Sequence, residues 1–174
     1  MVRSGATRAV SFRIVSHPTL GQPPRSLLAG YPDAADRLAA QRAPIAARAL
    51  EIAVDGDPSL RRRYDEIELR ALLGDGEVLV NRLALAVAGD DTFFLAQFAE
   101  NSATVFRRRK VAVMDVVHVL EGIRTGARGV LDGEEMASAD RAIDAAIKVY
   151  RRFHDIRGDA REWNPVTSKL YKGI

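Results

Sequence analysis

From residue 33 onward, apolar side chains recur every three to four positions, the spacing of helices that each hide one face from water. The period is clearest near the end, where Met136, Ala139, Ile143, Ala146, Ile147, Tyr150 and Phe153 share a face until Gly158 stops the run. Before it, Val116, Leu120, Ile123, Ala127 and Val130 form a stripe behind Asp115, read as a capping acid, and Asp132-Gly133 restarts the chain. Phe94, Leu95, Phe98, Ser102, Val105 and Phe106 make another stripe after Gly89-Asp90-Asp91, a stop followed by capping acids.

The first half is less regular. Asp33 is placed to accept the free amides of a first turn, and an alanine-rich segment runs from it to about Asp55. Pro44 lies inside that segment and removes a backbone hydrogen bond, so a kink or break is expected near Ala43. Asp57-Pro58 signals a second start and opens a run through Tyr64, Ile67, Leu69, Leu72 and Leu73. Gly74-Asp75-Gly76 interrupts before Val78 to Ala88 resumes, and the pattern leaves open whether residues 58–88 form one helix or two. Together these segments predict an all-α bundle of about five helices over residues 33–158.

Two flanks do not fit the pattern. Residues 1–32 hold Pro18, Pro23, Pro24 and Pro32, which is incompatible with a regular helix and marks an extended arm. Within it Val10, Phe12 and Ile14 alternate with Ala9, Ser11 and Arg13, giving either a loosely packed segment or a strand that adds to a sheet edge in another chain. Residues 159–174 are polar but carry Trp163, Leu170, Tyr171 and Ile174, a short tail expected to dock on its own bundle or on a partner. Candidate partner-binding residues are therefore Arg8, Val10, Phe12, Arg13 and Ile14 in the arm and Trp163, Leu170 and Tyr171 in the tail.

Composition narrows the chemistry. The balance of 47% hydrophobic and 28% charged residues is that of a globular chain. There is no cysteine, which removes disulfides, thiolate metal sites and thiol nucleophiles, and mildly favours the cytoplasm. No signal-peptide run and no span of uncharged apolar residues long enough to cross a membrane is seen. The net charge is +3, and its basic character lies in the arm, where Arg3, Arg8, Arg13 and Arg25 meet no acid.

Candidate catalytic groups are sparse. The three histidines are His17, His118 and His154, and no serine elbow, phosphate-cradling glycine loop or zinc-protease motif occurs. Asp115 and His118 have the spacing of a carboxylate-histidine metal pair, but they lie opposite the apolar stripe, so the reading is a solvated capping residue with a neighbouring imidazole. His154 is placed at the edge of the core or near the last carbonyls of its helix. No catalytic residue, metal or cofactor is therefore assigned. The clusters Arg61-Arg62-Arg63, Arg107-Arg108-Arg109-Lys110 and Arg151-Arg152 could make an anion or nucleic-acid face, but nearby acids and the lack of interleaved aromatics disfavour it.

Several short features carry a resemblance across about residues 60–160. They are Tyr64-Asp65-Glu66, the Ala88-Gly89-Asp90-Asp91 junction, and Ala99-Glu100-Asn101 leading to Phe106-Arg107. Val111-Ala112-Val113-Met114-Asp115-Val116-Val117 followed by Leu120-Glu121-Gly122-Ile123-Arg124 completes them. On these the chain resembles the helical N-terminal domain of RsbRD-type stress-signalling regulators and, more distantly, the helical cap of cobalamin-binding sensors. The resemblance implies a bundle that pairs with another bundle or relays a signal. No histidine lies between Phe94 and Val117 to serve cobalamin or haem, so it implies a stand-alone, cofactor-free bundle. The expectation is a non-catalytic, cytoplasmic regulatory domain that associates with a protein partner or with itself. The alternative is a structural subunit of a larger assembly, tethered by arm and tail.

Overall fold

A computed structural model describes residues 29–158, and within them all regular structure is helical. The candidate residues in the arm and tail, Arg8, Val10, Phe12, Arg13, Ile14, Trp163, Leu170 and Tyr171, lie outside the described residues. There are five long helices: α2 (Arg42–Gly56), α4 (Glu66–Gly89), α5 (Phe93–Arg108), α6 (Val113–Ala127) and α7 (Gly133–Arg157). Two short ones, α1 (Pro32–Ala40) and the single turn α3 (Leu60–Arg63), bring the described total to seven.

The short helices correct where the chain breaks. α1 begins at Pro32 with Tyr31 before it, so Asp33 is not the cap but an acid in the first turn, where it favours the helix dipole. The break expected near Ala43 is present, and Pro44 does not sit within a continuous helix. It sits in the first turn of α2, where its missing N–H would have had no partner, and the break falls upstream at Gln41.

Gly74-Asp75-Gly76 does not interrupt either. α4 runs through it unbroken because the helix starts from a capping box, in which Asp65 accepts the Glu68 N–H at 2.8 Å and Glu68 accepts the Asp65 N–H at 3.0 Å. Buried Leu72 before the glycines and Leu79, Val80 and Leu83 after them hold it in place, which offsets the roughly 1 kcal/mol that each helical glycine costs relative to alanine. The chain breaks instead at Tyr64, whose backbone is extended and whose side chain is buried.

α4 is the central element, packed on α1, α2, α5 and α7, while α2 crosses α6 and α7 lies against both α5 and α6. The α2–α6 crossing is made by small residues. A Cβ on Gly122 would lie 2.5 Å from the Ala49 carbonyl oxygen, and one on Gly126 would lie 3.2 Å from Ile45. Glycine at both positions lets the two backbones come this close.

Left-handed residues end two helices. Asp90, with φ 46°, lets the Asp91 N–H reach back to the Ala86 carbonyl at 2.9 Å, and Lys110, with φ 60°, lets the Val111 N–H reach Phe106 at 2.9 Å. Asp91 then accepts the Phe93 N–H at 2.9 Å, and Asp132 caps α7 through a second capping box with Glu135. Ile123, Ile143 and Ile147 are buried as expected, and Phe98 packs partly covered against the core. Ile67 and Val105, grouped with core positions by their spacing, are instead exposed.

Candidate functional site

Asp115 stands in the first turn of α6 but does not cap it, since the helix starts after Ala112, and it is buried rather than solvated. Arg63, the last residue of α3, reaches it with two nitrogens, Nη2 to Oδ1 at 2.6 Å and Nε to Oδ2 at 3.3 Å. The Tyr64 hydroxyl donates to Asp115 Oδ2 at 2.6 Å and accepts the Ala112 N–H at 2.9 Å. Arg63 also donates to Asp57 at 2.8 Å and bonds the Ser59 hydroxyl. Asp57 in turn accepts the Ser59 hydroxyl at 2.6 Å and the Ser59 N–H at 3.0 Å.

This knot ties the end of α2 and the α3 turn to the start of α6. The Ser59 hydroxyl, then Arg63, hold the Asp57 carboxyl well below the usual range. Burial works against the Arg63 charge, yet Asp57 and Asp115 outweigh it and the guanidinium pKa is raised.

His118 is exposed one turn along α6, and ligand atoms of Asp57, Asp115 and His118 lie within 4.8 Å of one another. Every oxygen of the two carboxylates is already engaged by Arg63, Tyr64 or Ser59. The cation of this cluster is thus the guanidinium itself, and a divalent ion would have to displace it. His154 lies beside Asp155 near the end of α7, with Nδ1 3.5 Å from the carboxylate.

The fold gathers the three cationic clusters at one end. Arg107 bonds the carbonyls of Arg157 and Gly158, which sets the end of α5 against the end of α7, and Tyr64 ties the α3 turn to the α5–α6 link. Acids come with them: Arg63 pairs with Asp57 and Asp115, Arg109 with Asp75, and Arg152 with Glu100. A groove of about 640 Å³ along α7 is likewise mixed, with Glu100, Glu121 and Asp144 facing Lys148, Arg151 and Arg152.

The apolar surface is more distinctive. Ile67 is 78% exposed and Val78 is 40% exposed, both on α4. Exposed Ala71, Gly74 and Asn81 and the half-buried Leu85 continue the same stripe. At its C-terminal end the stripe borders a groove of about 450 Å³ between α1 and α4, lined by Pro32, Ala35, Ala39, Ala84, Leu85 and Ala88 together with the polar Asp36 and Asn81.

Sequence reasoning missed Arg63 and Tyr64 as partners of Asp115. The available signal was a lone acid inside the apolar run Val111 to Val117, which needs a buried counter-charge. It also missed the exposed stripe, because α4 carries apolar residues nearly all round. No family model matches this chain, and no curated protein matches it. Among the described residues no helix is long and apolar enough to cross a membrane.

Proposed function

We propose that this chain is a non-catalytic, sensor-like regulatory domain that acts through protein–protein association. The carrying observation is the uncharged stripe on α4 with the groove beside it. A solvent-facing isoleucine is unremarkable alone, but an aligned apolar row running into a groove is the kind of surface that partners cover. The resemblance to RsbRD-type helical domains supports the same reading, since those bundles would pair or relay a signal. The polar groups that meet in the fold are mutually satisfied in the Arg63 knot, which suits a structural role for that cluster.

A second reading, a subunit tethered in a larger assembly, is favoured by the fixed points from which arm and tail depart. Gly30 and Tyr31 donate to the carbonyls of Ala88 and Val87 at 2.8 and 3.0 Å, beside Asp90, which pairs with Arg141 of α7. The tail departs from Gly158, held by Arg107, about 25 Å further along α7 at 1.5 Å per residue. Two tethers so separated can bridge neighbours. Native mass spectrometry of the protein from its own host tests both readings. A stoichiometric protein complex or homo-oligomer supports association. A monomer with no protein bound sinks it, and loss of a partner on removing residues 1–28 selects the tethered subunit.

A further inference from the structure

We draw no further inference here: the strongest candidate, the Asp57, Asp115 and His118 cluster where the end of α2 meets the first turns of α6, belongs to the site already described and is an acidic cluster beside one exposed imidazole, with every carboxylate oxygen engaged by Arg63, Tyr64 or Ser59 and no second feature that points to a ligand.

Discussion

The Cβ that Gly122 lacks would sit 2.5 Å from the carbonyl oxygen of Ala49 and 2.6 Å from its Cα, so α2 and α6 touch backbone to backbone at this point. A backbone cannot give way as a flexible side chain can. Gly122→Ala should therefore push the helices apart and destabilise the fold by about 1–3 kcal/mol in chemical denaturation, despite the better helix propensity of alanine. Gly76→Ala is the matched control. Its Cβ would meet the Ala46 methyl at 3.4 Å, an ordinary contact, and the variant should stay within about 1 kcal/mol of wild type.

Replacing Arg63 with methionine leaves Asp115, 4% exposed, without its counter-charge. Loss of one partner of a buried pair costs about 3–5 kcal/mol, and the Tyr64 hydrogen bond to Asp115 should hold the cost toward the lower end. Arg63→Lys should recover only part of it, since one ammonium cannot span Asp57, Ser59 and Asp115 as the guanidinium fork does. Thermal melts of the two variants check the order.

Ser102 and Tyr150 meet inside the bundle with their hydroxyls 2.8 Å apart, and Ser102 also donates to the Phe98 carbonyl at 2.7 Å. With the serine proton committed there, the tyrosine donates. Burial pushes the Tyr150 pKa up, and its hydrogen bond to Ser102 only partly opposes this. Ser102→Ala strands a buried hydroxyl and should cost about 1–3 kcal/mol, whereas Tyr150→Phe should cost about 1 kcal/mol. The double variant should lose less than the sum of the two, which a double-mutant cycle measures.

Acid should loosen the fold through three carboxylates. Asp57 is held low by the Ser59 hydroxyl and then Arg63, Asp90 by the Ser138 hydroxyl and then Arg141, and Glu135 by the Asp132 N–H and then Arg37. Each has a folded pKa below its unfolded one. Their stabilisation is thus complete above the ordinary carboxylate range and is lost as pH falls below about 4. Urea titrations from pH 7 to pH 3 should show falling midpoints. The gap between wild type and Asp57→Asn should be widest at pH 7 and close toward pH 3.

The helical class was legible because it is local, but the caps were legible only in part: Asp132 caps its helix, whereas Asp33, Asp57 and Asp115 do not. The 3.6-residue period placed Ile123, Ile143 and Tyr150 in the core, and capping chemistry marked Asp91 and Asp132 near the true starts of α5 and α7. Local rules were insufficient where a distant partner took part. The glycines at 74 and 76 left one helix or two open, and a distant contact decided it: Gly76 is buried against Ala46 and the helix continues through it.

What the sequence by itself determined was that residues 33–158 form helices with one face to hide, since periodicity and capping act over a few residues. Only the tertiary structure decided which faces are covered. Asp115 turned inward because Arg63 and Tyr64, more than fifty positions earlier, met its charge and satisfied its oxygens. Ile67 and Val78 were left in water because the elements around α4 cover its other sides and not this one. Burial depends on packing between segments far apart in the chain, and no window of local sequence contains that.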